Sequence, residues 1–393
     1  MYQIILYSMK KLLKFDIIHP TEYLIEKQSE WIDLDSLSLD EYRNRLIALR
    51  SNYSDYYTYH LNETKEWEAE EFFLLDPVFL NKTAKELLGI KRYILKAKGI
   101  VLGKLFRIND YYQQKVIQKY INHFEPDVIF VRSQPLPSAF WSQFRNSSLL
   151  VARLSARLPR HWHPNDWDLI YTDQPDFKTF FDLHGTRTIM NDQGFDTRII
   201  RELLNRDKQY ECTFLGGLGT QNFLKRTEFI NAVSQKIDFK WWGYWWKYGS
   251  DGRNLIDFPN LAQTYQGASS GLEMYQIFKD SKICLNDYVD TANGIGFNQR
   301  MFEVMGVGGF LLTRWAPNFE KDFPKGIFAT YTDRTDCLEK IKYYLKENEE
   351  RELIASAGQR FIAENYDYSR IAKDFSQEIT EELFKKKIDL QNC

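Results

Sequence analysis

Long apolar runs are missing from this sequence. No stretch approaches the ~18 consecutive apolar residues of a membrane-spanning helix, so no spanning segment is expected. The opening Met1 to Leu6 is too short for a signal peptide and lacks its charge order. Cysteine is scarce. Cys212, Cys284, Cys337 and Cys393 have the spacing of neither a metal knuckle nor a disulfide framework. Cys212 and Cys284 sit inside apolar runs and read as buried thiols. A reducing cytoplasm is the expected setting, with at most a peripheral association at the inner face of the membrane. An excess of one charge is also lacking. The formal net charge of −2 gives no global bias toward nucleic acid or an acidic polymer, so no nucleic-acid partner is expected. Internal repeats and low-complexity tracts are absent too.

What is present is ordinary globular composition with many rings. Aromatic residues make up 16% of the chain, including 10 Trp and 24 Tyr, which pack well and also stack on sugars and bases. At roughly 100–200 residues per domain, a chain of 393 residues implies two or three domains.

The first ~120 residues read mainly as helices. Ser38 with Asp40 and Glu41 forms a helix-start signature, and a second helical stretch runs from about Lys82 to Tyr120. From Pro126 the pattern changes. Short apolar runs at Val128 to Val131, Leu149 to Ala152, Leu169 to Thr172 and Thr188 to Met190 read as buried parallel strands. After a break near Asp192 to Lys208 the rhythm restarts. Strands are predicted at Cys212 to Gly216, Phe239 to Gly243, Ile283 to Asn286, Gly309 to Thr313 and Gly326 to Thr330, with helices between them. This is the βαβ rhythm of two Rossmann-like halves joined near residue 200. A last helix, at about 367–386, is placed to cross back to the first half. The expected domains are therefore 1–200, 201–370 and a crossover helix and tail at 371–393.

Ligands of open parallel sheets bind outside the carboxyl ends of the strands. Two places in the second half fit. The first is the loop Gly216-Gly217-Leu218-Gly219-Thr220-Gln221, followed by Lys225 and Arg226. Glycines there let the backbone approach a phosphate, and a plain tight turn is the alternative. The second runs from Asn286-Asp287-Tyr288 to the helix opening at Asn298-Gln299-Arg300 and on through Glu303 to Gly309 and Thr313. A helix start there suits a diphosphate, with Arg300 adding a fixed charge. Glu303 is a natural acceptor for the two hydroxyls of a ribose, and pairing with a nearby Arg is the alternative. The candidate donor-binding residues are thus Gly217, Gly219, Arg226, Asn286, Tyr288, Asn298, Arg300 and Glu303. Arg300 and Glu303 are also the candidate catalytic residues, and both side chains are expected to be reserved for ligand.

The segment through Arg300, Glu303, Gly309 and Thr313 resembles the signature of spore-maturation CgeB-type glycosyltransferases, which are related to family 4 retaining enzymes. The likeness continues through Lys282 to Asn286, Ala357 to Arg360 and Glu364 to Arg370, and touches the helical opening at Leu39 to Tyr57. It implies an α/β GT-B fold of two facing Rossmann-like domains, the first carrying the acceptor and the second the nucleotide sugar. It also implies transfer with retention onto a glycan, lipid-linked or protein acceptor. No cofactor is expected, the donor being a substrate. The related enzymes use two glutamates, the second on the donor ribose. Glu303 matches the second, while Ile295 stands where the first would be, leaving Asn293, Asn298 or the amides of Gly294 and Gly296 to contact the sugar. The loop Arg132-Ser133-Gln134 also lacks the histidine that often follows a first-domain strand in these enzymes. A nucleotide-sugar epimerase or hydrolase, or a non-catalytic nucleotide-sugar-binding relative, remains the alternative.

Asp166-Trp167-Asp168 spells a metal-binding DxD but precedes a strand instead of ending one, so metal-free chemistry is expected. His161 and His163 have too few partners for zinc. Asp33-Leu34-Asp35 reads as a solvated turn. Trp241 to Trp246 reads as a strand end whose rings either pack or stack on a ligand. The basic, amphipathic segment 91–107 either lies on a membrane surface near a lipid-linked acceptor or packs with a solvated face.

Overall fold

The computed structural model describes residues 9–19, 21–51, 54–106, 110–154, 158, 161–190, 193–220, 223–246, 253–289, 296 and 298–392. Arg107, Gln221, Asn293, Gly294, Ile295 and Cys393 therefore lie outside the described residues. The chain forms two compact units. One is Met1–Asp192 with Ile371–Cys393, and the other is Gln193–Arg370.

The first unit runs β1 (Lys10–Ile17), α1 (Thr21–Glu30), α2 (Leu39–Ala48), α3 (Tyr56–Glu63), β2 (Trp67–Leu74), α4 (Pro77–Leu88), α5 (Lys91–Phe106), α6 (Tyr111–Phe124), β3 (Val128–Val131), α7 (Ser138–Ser142), β4 (Leu149–Arg153), β5 (Leu169–Thr172), α8 (Pro175–Leu183) and β6 (Arg187–Met190). Its six strands form one parallel sheet in the order β2-β1-β3-β4-β5-β6. Leu13, Phe15, Phe72, Ile129, Leu150 and Ile170 fill the layer between sheet and helices. Ser38 caps α2 in a full capping box with Glu41, as its spacing predicts.

Two of these strands depart from the expected helical opening. Both β1 and β2 lie within the first 120 residues, and β1 is an interior strand of the sheet. Their charges disguise them: β1 reads KKLLKFDI and β2 reads WEAEEFFL. The charges survive burial because they meet across the strands. In the parallel register Lys14 lies opposite Glu71. Its ammonium donates to Glu71 Oε2 at 2.8 Å and to the Ser54 carbonyl at 2.7 Å, while Thr58 Oγ1 donates to the other Glu71 oxygen. Burial pushes the Glu71 carboxyl up to about 7, against the opposing pull of Lys14.

The second unit contains β7 (Tyr210–Leu215), β8 (Leu218–Gly219), α9 (Leu224–Ser234), β9 (Phe239–Trp242), β10 (Trp245–Trp246), α10 (Pro259–Thr264), α11 (Gly271–Lys279), β11 (Ser281–Asn286), α12 (Gln299–Gly306), β12 (Leu311–Arg314), α13 (Phe319–Asp322), β13 (Ala329–Tyr331), α14 (Arg334–Lys346) and α15 (Asn348–Asn365). Five strands form a parallel sheet in the order β13-β12-β11-β7-β9, and β8 pairs with β10 in a small parallel ribbon. Cys212, Phe214, Ile283, Leu285 and Leu312 lie in its core. Cys212, Cys284 and Cys337 are buried free thiols.

The last helix, α16 (Tyr368–Asn392), leaves the second unit and packs in the first. Phe375 meets Tyr57, Phe130 and Tyr171. Ser376 accepts from Trp67 Nε1, and Tyr171 donates to Glu378. Among the described residues, no helix is long and apolar enough to cross a membrane.

Candidate active site

In the second unit the chain steps from β7 outward to β9, then returns across β7 to lay down β11 and β12. The reversal makes the carboxyl ends of β7 and β11 a topological switch point, where open α/β sheets bind ligands. Arg226 spans it. From α9 its guanidinium donates to the Gly217 carbonyl in the loop after β7 and, at 3.3 Å, to the Asp287 carbonyl after β11. Arg226 is buried, so its charge acts on the crevice through the two loops it holds together.

The glycines of the glycine-rich loop have a packing reason. A side chain at Gly217 would overlap the Trp246 indole, and one at Gly219, at φ +150°, would overlap the Trp246 backbone. Four of the loop amides are used internally. Gly216, Leu218 and Thr220 donate to the carbonyls of Trp242, Tyr244 and Trp246, and Gly219 donates to Thr227 Oγ1. The loop is a packed β8–β10 corner. The tryptophan run supplies its other wall. Trp241 Nε1 donates to the Gly216 carbonyl, and Trp246 stacks on Phe223.

Asn286, Tyr288 and Asn298 come together. Asn286 and Asn298 exchange amide hydrogen bonds at 3.1 and 3.3 Å, tying the end of β11 to the start of α12. Asn298 is the N-cap, its side chain accepting from Met301 N. Thr313 Oγ1 bonds both Asn286 Nδ2 and the Tyr288 hydroxyl at 2.9 Å. Tyr288 is buried, and burial raises its pKa.

Arg300 and Glu303 are bonded to each other at 2.6 Å across one turn of α12. Glu303 is 8% exposed, and burial raises its carboxyl while Arg300 opposes the shift. Arg300 also meets Met274 Sδ and lies over the Phe278 ring, so the pair leans on α11. Arg300 and Glu303 thus have each other as partners, the pairing that is the alternative reading of Glu303.

A second ion pair stands at the strand ends. Arg314, the last residue of β12, meets Asp287 Oδ2 at 2.6 Å. The Asp287 side chain is fully buried, and burial pushes it up to about 6 against the pull of Arg314. Arg314 is 37% exposed, so it presents positive charge to solvent at the strand ends. Nothing in the local pattern marks this pair, because its partners meet only when β11 and β12 align.

The DxD, histidine and Asp33 motifs are bonded within the protein. Asp166 accepts from Ser138 Oγ. Asp168 is held by Arg145, the Leu150 amide and Lys386, so both DxD carboxylates have protein partners. His161 and His163 are exposed and meet Ser138 through their backbones. Asp33 pairs bidentately with Arg45. Among the described residues, no group of three or more His, Cys, Asp or Glu could hold a metal ion.

Residues 225–377 match the family model described as Glycosyl transferase-like, a span that includes Arg226, β11, α12 and β12. No curated protein matches the chain. Among solved structures, the Anabaena protein HepE in complex with UDP-glucose aligns at TM-score 0.53 and 13% identity, covering 94% of this chain and 99% of that one. Sucrose-phosphate synthase from Thermosynechococcus elongatus aligns at 0.53 and 10% identity, covering 96% and 99%. A glycosyltransferase from Rickettsia africae ESF-5 aligns at 0.55 and 10%, covering 96% and 100%. At such identities the likeness speaks for architecture alone, and with two parallel α/β units rejoined by a C-terminal helix, the architecture is that of the GT-B fold.

Proposed function

We propose that this protein is a glycosyltransferase that moves a sugar from a nucleoside-diphosphate sugar to a glycan, lipid-linked or protein acceptor. The observation that carries the reading is a coincidence in one segment. The stretch matching the glycosyl transferase-like family contains the switch-point residues Arg226, Asn286, Asp287 and Arg314 and the α12 pair Arg300 and Glu303. In this reading the diphosphate sits near the start of α12 and the end of β12. Arg314 and Arg300 stabilise the charge that develops on the leaving group, and Glu303 accepts from the ribose hydroxyls. Asn286, Tyr288 and Asn298 hold the strand end and helix start rigid, and Arg226 fixes the two loops. The glycines set the loop's shape and leave donor contact to its neighbours.

The donor site needs neither cofactor nor metal in this reading, since arginines supply the positive charge. The likeness to CgeB-type enzymes supports retention of configuration. A thermal-shift panel of nucleotide sugars and nucleoside diphosphates tests donor binding, and stabilisation by none of them overturns the proposal. Product analysis separates transfer from its rivals, because an epimerase or hydrolase consumes donor with no acceptor present. Turnover is expected to survive a chelator. Loss on chelation, restored by manganese or magnesium, would overturn metal independence.

A further inference from the structure

Helix α5 has no buried side chain among Lys91 to Lys104. It rests on α4 and α6, with Gly99 against Tyr112. At 100° per residue, Leu95, Gly99 and Leu102 fall on this supported side and are half-buried. The opposite side carries Tyr93, Ile94, Ala97, Ile100 and Val101, all exposed, with Tyr93 and Ile94 each 61% exposed, Ile100 54% and Val101 52%. Ile90, just before the helix, is 82% exposed. This is a contiguous apolar stripe on a single helix, not the usual scatter of lone surface apolar residues.

Charge decides what covers the stripe. Lys96 and Lys98 flank it on its two sides, Lys104 lies in line with it, and Lys91 stands at the helix start. All four lysines are exposed, and among the described residues none is paired with a carboxylate. No Asp or Glu occurs between Glu86 and Asp110. The chain as a whole has a net charge of −2, so this positive field is local. A second copy of the same surface would bring lysines against lysines, whereas an anionic lipid surface accepts both the apolar stripe and its cationic borders.

We infer that α5 is an interfacial helix that docks the first unit on an anionic membrane surface. Tyr93, Ile94, Ile100 and Val101 enter the headgroup boundary, and Lys91, Lys96, Lys98 and Lys104 bind lipid phosphates. Such docking would bring the protein to a lipid-linked acceptor. It is independent of the donor site, so nucleotide binding and membrane binding can fail separately.

Co-sedimentation of the full chain with vesicles tests it. Binding is expected to vesicles of equal parts phosphatidylglycerol and phosphatidylcholine at low salt, with strong weakening at high salt and little binding to phosphatidylcholine alone. Each lysine is expected to contribute roughly fivefold to partitioning, from about 1 kcal/mol per basic residue. Lys96→Glu with Lys98→Glu should therefore weaken binding by far more than tenfold. Ile94→Asp with Val101→Asp should abolish it at unchanged melting temperature, since both positions are exposed. Three results overturn the inference: no binding of the parent protein to the anionic vesicles, equal binding to neutral ones, or full binding by the Asp variant. Concentration-dependent dimerisation without lipid, lost in the Asp variant, would assign the stripe to a second copy and overturn the lipid reading.

Discussion

Arg314 and Asp287 form an ion pair in which only the arginine reaches solvent. Asp287 is pushed up to about 6 by burial, so it takes up a proton in the folded state at a pH where an unfolded aspartate does not. The stability tied to that proton is full below the ordinary aspartate range and is lost as pH rises through about 6. Arg314 limits the loss by offsetting the ionised carboxylate. Replacing it in Arg314→Met leaves a buried charge unpartnered, a change that costs about 3–5 kcal/mol in comparable cases. The variant should melt close to the parent at pH 5 and clearly below it at pH 8, and an equal deficit at both values would refute the coupling. Glu303 calls for a different measurement. In Glu303→Ala, Arg300 loses its partner but can turn to solvent, so a small drop in melting temperature is expected. If Glu303 also accepts from the ribose, hydrogen bonds worth about 1.5–3 kcal/mol disappear as well. Nucleoside-diphosphate affinity should then fall by about one to two orders of magnitude by calorimetry. A lowered melting temperature with unchanged affinity would make the glutamate a positioning residue for Arg300 only.

At the scale of elements, the loop between β7 and α9 separates two reasons for having glycine. Gly217 faces the Trp246 side chain, while Gly219 faces the Trp246 backbone. Gly217→Ala should therefore destabilise the second unit and be rescued by Trp246→Ala, which removes the obstructing indole. Gly219→Ala should not be rescued, because the carbonyl stays. Thermal melts of the four variants check this, and rescue of both would mean that the loop relaxes freely. The same loop shows what a sequence can reveal. Its glycines are visible, but their reason is a tryptophan in a different strand, and that approach exists only after β8 pairs with β10. The strands of the two large sheets from Val128 onward were legible because each is a short apolar run between breaks, whereas β8 and β10, only two residues each, were not. β1 and β2 were not, since Lys14 and Glu71 each look like surface residues until the register places them together. Of the candidate site, Asn298, Arg300 and Glu303 were legible on one helix start. Asp287 with Arg314 was not, as their contact depends on strand alignment.

At the scale of the whole molecule, the chain leaves the first unit at Asp192 and re-enters it at Ile371. The returning helix completes a core and is not an appendage. Phe375, Ile379 and Leu383 are buried at 1%, 0% and 7% exposure, and Phe375 closes an aromatic cluster with Tyr57, Phe130 and Tyr171. Polar bonds pin it along its length, from Trp67 and Lys10 to Lys386 on Asp168. Burying three large apolar side chains contributes about 1.5–3 kcal/mol each. Domains are stable by only about 5–15 kcal/mol in total, so the helix carries a large share of what holds the first unit folded. A chain ending at Arg370 should therefore lose the first unit's cooperative melt and expose Trp67 and Tyr171 to quenchers. The second unit, whose sheet and switch point lie wholly within Gln193–Arg370, should keep its own melt. Phe375→Ala in the full chain is the milder version, expected to cost about 3–5 kcal/mol in the first unit alone. If truncation left both melts unchanged, the first sheet would have to be stable without α16, and the packing of Phe375 against β3 and β5 would carry none of the stability assigned to it.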